Sequence, residues 1–442
     1  IFIKRNKLAA SCPSLISFKQ FTAKSDYISK SCLPYRSLAR KWIVMLFMGT
    51  CFLYCARMAM PVCAVSMAAT FHWSKIDSGV VLGGFFWGYC LTQILGGHAS
   101  DRVGGERVLF FSASSWALIT AGTPLLAHLG SHTLALMTVA RFLMGISQGV
   151  FFPSLASLCS QRVVEGERGF LMSTLQSGTH LGTLLAGGLG TLMLDRYGWE
   201  SMFYSIGFLS GLWALIVWQC LLKGTAWSLS RIPWLSLFKK PPVWAMVFAH
   251  MCMCSTSYTL LSWLPTYFKE SFPHATGWVY NVVPWLTAIP SALVGGYVSD
   301  FLINRGIKKR SLFYCDFFAM GVSSMFILPL SGVVTFPAAV IYICAAVGLT
   351  TFTSGGVSVN VQDLTPSCAG ALFGFMNMMG SFVGVVLVSL SGYLIEVTQS
   401  WSMVFALITL VNATGLGVFL IFGGARRVDL VDTARHRVHI FY

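Results

Sequence analysis

Apolar runs of about 20 residues or more recur along most of the 442-residue chain, with only short polar stretches between them. A helix needs about 20 mainly apolar residues to cross a bilayer. On that rule, spans are expected near residues 42–66, 78–99, 107–128, 133–159, 170–194 and 201–222. A second group is expected near 242–268, 278–303, 312–331, 333–354, 368–394 and 401–423, which makes about twelve spans in all. The runs are continuous rather than alternating, which excludes a transmembrane β-barrel. Composition agrees: 55% of residues are hydrophobic and 10% charged, against about 25% charged in ordinary soluble domains. Mean hydropathy is +0.71. A soluble globule, a disordered chain, a disulfide-rich secreted module and a collagen-like fibre are all excluded. The expected class is an all-α membrane protein.

The spans fall into two groups of six, outlining two parallel repeats. This predicts a basic, disordered segment over 1–41, a six-helix bundle over 42–222 and a linker over 223–241. A second bundle then covers 242–423, and a tail covers 424–442. Basic residues decide the orientation. Of the 30 Lys and Arg, 25 lie in the terminal segments and in loops of one side, and three (Lys75, Arg196 and Lys269) lie in loops of the other. By the positive-inside rule both termini are expected in the cytosol, and no cleaved signal is expected. The net charge of +15 does not point to nucleic acid, because the apolar stripes leave no face for a duplex.

Two basic residues remain inside the membrane. Arg57 stands roughly 22 Å into the first span, and Arg141 roughly 12 Å into the fourth, which runs the other way. Both therefore arrive at a similar depth. A charge there costs about 2.5–3.5 kcal/mol, and no internal carboxylate is expected opposite either one: the 15 Asp and Glu lie in loops, in tails or near helix ends, with Asp316, a few residues inside the ninth span, the closest to an exception. Two such arginines would hold an anion that offers several oxygens, such as a carboxylate or phosphate. His180 and His250 are the internal candidates for proton sensitivity. No cysteine or histidine spacing suits a metal, no phosphate-binding loop is present, and no nucleophile–base pair suggests an enzyme.

Between spans two and three the chain reads GGHASDRVGGERV, and GGYVSDFLINRG echoes it from Gly295 to Gly306. Asp101, Arg102, Arg107 and Asp300 are thus the expected gate residues on the cytosolic side, where Asp101 can face a helix N-terminus and Arg102 and Arg107 can pair with it. RFLMGISQG begins at Arg141 and places Gly145 and Gly149 four residues apart, the spacing of close helix packing. These loops resemble the major facilitator superfamily, which implies the two-bundle fold that bears its name. FFWGYCLTQILGG (Phe85–Gly97), GWESMFY (Gly198–Tyr204) and SVNVQDLTPSCAGALFGFMN (Ser358–Asn377) resemble its organic-anion branch, which contains sialin and the vesicular glutamate and phosphate carriers. SWLPTYF (Ser262–Phe268), NVVPWLTAIPSALVGGYVSD (Asn281–Asp300) and FGGARRVDL (Phe422–Leu430) are most similar to branch members that carry nucleotides.

The resemblance implies a secondary transporter, not an enzyme, that moves ATP, ADP and other nucleotides from cytosol into secretory vesicles or lysosome-related organelles. It implies no cofactor, chloride as an activator, a monomer embedded in lipid, and functional coupling to a vesicular proton pump. Arg57, Arg141, Gln148, Asn360 and Asn377 are the substrate contacts expected on this reading. Where the glutamate carriers have a protonatable glutamate this chain has Gln148, and where they have a histidine it has Leu82. A lumen-positive potential is therefore the expected driving force. The alternative is a sialin-like, proton-coupled organic-anion carrier.

Overall fold

The computed structural model describes residues 14–73, 75–129, 132–221, 237–275 and 277–428. The backbone divides into residues 1–44 and one compact unit, Met45–Tyr442. Helix α1 covers Ser14–Phe71. The apolar span supplies the costly nucleus, and propagation back from it adds one hydrogen bond per residue. The compact unit continues with α2 (Lys75–Val103), α3 (Gly105–Ala127), α4 (Thr133–Arg162), α5 (Arg168–Tyr197) and α6 (Trp199–Leu221). After the linker come α7 (Pro241–Ser271), α8 (Gly277–Asn304), α9 (Leu312–Ser331), α10 (Phe336–Leu364), α11 (Ala369–Thr398) and α12 (Ser402–Phe422). Most of the linker and the last part of the tail lie outside the described residues.

Ten of these helices are long and apolar enough to cross a membrane. The remaining two, α5 and α7, have 30 and 31 residues. At 1.5 Å per residue their length suffices. Their hydropathy is lowered by Ser, Thr, Gly and His, several of which, such as Ser173, Ser177, Thr179, His250, Ser255 and Thr256, are buried against protein. Asn412 shows what such groups do. It accepts a hydrogen bond from Thr256 Oγ1 (2.7 Å) and donates to Ser324 Oγ (3.0 Å), tying α7, α9 and α12 together inside the second bundle. The outer faces carry Trp87, Leu118, Phe208, Leu215, Tyr297 and Ile421 exposed. In water such surface would aggregate; in a bilayer, lipid covers it.

Several helices are interrupted. The ring of Pro153 cannot coexist with an intact ladder to residue 149, and α4 turns at Val150. Helix α9 contains a π segment, Phe317–Val322. Helix α10 passes through a 3₁₀ turn at Thr351–Ser354 and restarts at Val357, whose N–H donates to Asp316 Oδ1 at 3.3 Å.

The two bundles meet most closely along α2 with α11 and along α5 with α8. Glycine permits this on both lines. A Cβ at Gly97 would overlap the carbonyl of Gly370, and one at Gly296 would lie 2.5 Å from Ser173 Oγ and 2.7 Å from Gly169 O. The bundles thus close at the face carrying Arg102, Arg107, Arg162 and Arg168, here called the basic face. Gly97→Leu should wedge that face open while leaving each bundle folded. Cys368, 1% exposed, should then react faster with a thiol reagent, measured by peptide mapping of the labelled protein.

Candidate functional site

The two intramembrane arginines meet. Arg141 Nη2 donates to the carbonyl oxygen of Arg57 at 3.3 Å, so α4 and α1 bring both guanidinium groups to one depth. Gln148, two turns along α4 from Arg141, completes the group. Its Oε1 accepts from Arg57 Nε at 3.2 Å, and its Nε2 donates to Leu53 O at 3.2 Å. Arg141 is 5% exposed and Gln148 is fully buried. Among the described residues no carboxylate pairs with either arginine, and Arg57 Nη2 and Arg141 Nε are buried without a hydrogen-bond partner. Like charges are thereby held together with donor capacity left over.

Aromatic faces supply part of the missing stabilisation. The Arg57 guanidinium lies 4.7 Å from the Tyr54 ring, 4.9 Å from Phe85 and 4.7 Å from Tyr89. Arg141 lies 5.2 Å from Phe85. Contacts of this kind are worth about 0.5–2 kcal/mol each. The glycines of α4 deliver these rings: a Cβ at Gly145 would overlap Phe85 O, and one at Gly149 would lie 2.6 Å from Tyr89 O. The four-residue spacing is therefore packing, as its pattern implies, and the packing also presses Phe85 and Tyr89 onto the arginines. On the second bundle the Tyr258 hydroxyl lies 3.5 Å from Ser381 Oγ.

At the basic face both aspartates of the repeated loop cross from one bundle to the other. Asp101 Oδ1 and Oδ2 accept from the N–H groups of Gly370 (3.1 Å) and Ala371 (2.8 Å), at the start of α11. Asp300 does the same for Gly169 (2.9 Å) and Phe170 (2.7 Å), at the start of α5. The first N–H groups of a helix have no partner within it, and the helix dipole favours an anion there. Asp101 thus faces a helix N-terminus, as its place in the loop predicts. Arg102 is exposed and Arg107 half-buried on the same face. A buried ion pair joins the bundles between the two latches: Arg168 Nη1 contacts Asp363 Oδ1 at 2.7 Å and also donates to Gln362 O at 3.2 Å. Sequence reasoning missed Arg168, counting it only as a loop cation. The available signal was its place at the head of α5, opposite the second Asp loop.

A family model for the major facilitator superfamily matches residues 45–388. The chain belongs to the major facilitator superfamily. It is 49% identical over 413 residues to the voltage-gated purine nucleotide uniporter SLC17A9 of Mus musculus, covering 90% of this chain and 92% of that protein. The Rattus norvegicus uniporter of the same name is 50% identical over 89% of this chain and 91% of its own. A chloroplastic ascorbate transporter of Arabidopsis thaliana is 30% identical, covering 89% and 77%. Among solved structures, the Escherichia coli fucose:proton symporter FucP superposes with TM-score 0.66 at 14% identity, covering 86% of this chain and 98% of that one. The proton:xylose symporter XylE gives TM-score 0.68 at 12% identity, covering 87% and 96%. These two likenesses establish the facilitator fold alone.

The remaining residues singled out in the sequence separate on this scaffold. Asn377 Oδ1 pairs with His250 Nε2 at 2.8 Å on the second bundle. Asn360 turns away from the arginines, because its Nδ2 donates to Gly424 O in the tail at 3.2 Å. His180 stacks on Trp285 of α8 with ring centroids 6.0 Å apart, and its Nε2 is buried without a partner. A facilitator with these latches should open its basic face more readily when either is weakened. Hydrogen bonds to a charged acceptor are worth about 1.5–3 kcal/mol each. Asp101→Asn and Asp300→Asn should each shift the equilibrium by on the order of 1–2 kcal/mol, read as faster labelling of Cys368 in the purified transporter.

Proposed function

We propose that the chain carries purine nucleotides by alternating access, with Arg57 and Arg141 holding the phosphate chain. The observation that carries this reading is a buried pair of guanidinium groups with unused donors and no carboxylate partner among the described residues. Arg presents a planar fork that suits phosphate oxygens. The identity of about half the residues with the mouse and rat purine nucleotide uniporters supports the same substrate class.

Gln148 has no ionisable proton and cannot neutralise Arg57 as a glutamate would. A nucleotide with roughly three or four negative charges keeps a net charge at the site. A potential acts on it with about 2.3 kcal/mol per charge per 100 mV, or on the order of 7–9 kcal/mol in total per 100 mV. On this reading the basic face is cytosolic, both termini lie there, and the opposite face meets the lumen of a secretory vesicle or lysosome-related organelle. A vesicular proton pump supplies the lumen-positive potential, a single chain is the working unit, and chloride acts as an activator.

Uptake of labelled ATP into proteoliposomes separates the driving forces. A potassium–valinomycin potential at equal pH should give strong accumulation, and a pH gradient with voltage held at zero should give little. The reverse result would favour a proton-coupled organic-anion carrier, with His180 or His250 as the shuttle. Arg141→Ala should abolish uptake without affecting insertion, and Arg141→Lys should restore only part of it, because lysine lacks the fork. Normal uptake by a well-inserted Arg141→Ala protein would refute the assignment.

A further inference from the structure

On the outer surface, where the start of α7 meets the end of α12, lies an apolar cavity of about 280 Å³. Pro241, Trp244, Ala245, Phe248, Val418 and Phe422 line it. The wall is held in place. Trp244 Nε1 donates to Phe238 O at 2.7 Å, and its ring packs on Phe238 (5.5 Å between centroids) and Phe375 (6.3 Å). Trp is the residue expected at the level of lipid headgroups, so the cavity opens where the hydrocarbon core meets the basic-face headgroups.

The rim carries one sign of charge. Lys239 and Lys240 immediately precede Pro241, and Arg426 follows Phe422 by four residues. Gly424 rests on Pro242, since a Cβ on it would meet the proline ring at 3.3 Å, and this brings the two basic stretches together. Residues 237–248 and 418–428 contain no Asp or Glu. Lys239 and Arg426 are exposed. We infer that this cavity is a binding site for one anionic phospholipid of the leaflet on the basic side, its acyl chain in the groove and its phosphate on Lys239, Lys240 and Arg426. A zwitterionic choline lipid has no net charge to set against a rim that is already positive.

The same tail segment reaches the gate. Gly424 O accepts from Asn360 Nδ2, and Val428 N–H donates to Leu364 O at 2.9 Å. Both acceptor and donor sites on α10 lie within the turn or two that holds Asp363, the partner of Arg168. A lipid seated between α7 and the tail therefore braces the part of α10 that keeps the basic face closed. This inference does not depend on which substrate is carried.

The test uses the full chain, purified in micelles containing equal amounts of phosphatidylserine and phosphatidylcholine, with retained lipid counted by native mass spectrometry. The expected result is preferential retention of one phosphatidylserine. Removing the rim charges in K239Q/K240Q/R426Q should lower that preference by about fivefold per residue, from the attraction of each basic group to an anionic surface. Val418→Phe should fill the groove and exclude either lipid. Equal retention of both lipids by the native chain, or native-like preference in the charge variant, would overturn the inference. The charge variant alters only surface and rim side chains, so it remains decisive if Val418→Phe folds poorly.

Discussion

Two guanidinium groups held together inside a membrane protein, with no acid paired to either among the described residues, set the terms for everything around them. Their burial costs several kcal/mol even on insertion scales. The chain compensates with groups that carry no full charge: three aromatic faces on Arg57, a backbone carbonyl for Arg141, and the neutral amide of Gln148. A carboxylate would have stabilised the empty site more strongly. It would also have competed with any anion arriving there, so that binding would first require an ion pair to break. The compensation is enough to let the chain fold and leaves the site's positive potential available to a ligand.

The latches at the basic face follow a similar economy. Each aspartate satisfies N–H groups that lack partners within their own helix, and water can satisfy those same groups when the bundles separate. Opening therefore exchanges one set of hydrogen bonds for another. Arg168 with Asp363 is the stiffer element, because both side chains are buried and the pair also engages Gln362 O. Alternating access requires two states within a few kcal/mol of each other. Two exchangeable latches flanking one buried pair fit that requirement better than a row of ion pairs would.

The fold class and the arginine site were legible in the sequence because both rest on strong single-residue preferences. A charge within a long apolar run is conspicuous, and the helical rise placed Arg57 and Arg141 at one depth before any contact was known. A helix N-terminus was legible as a partner for Asp101, but the particular partners of Asp101 and Asp300 were not. They are backbone N–H groups some 270 and 130 positions away along the chain, and backbone groups have no sequence signature. The same applies to Asn360, whose type suited a polar cavity but whose amide meets a tail carbonyl instead. The hydropathy of α5 and α7 was ambiguous for a physical reason. Helices that face other helices through Ser, Thr and Gly bury polar groups against protein, so the average understates how much of them lies in the bilayer.

The placement of charge also bears on how a potential would drive the cycle. Both arginines belong to the first bundle, and among the described residues no acid of the second pairs with either. If the bundles rock about a centrally placed site, as facilitator repeats do, Arg57 and Arg141 remain near the same depth while access changes around them. Charges that stay at one depth do little electrical work. The work then comes from the ligand entering through one half of the membrane and leaving through the other, so the voltage dependence is set by the ligand's own charge. A protonatable acid at the site would change this, because a proton travelling with the anion would subtract one charge from the total. With Gln148 in that place, the proposed site would expose the full charge of an anion to the field.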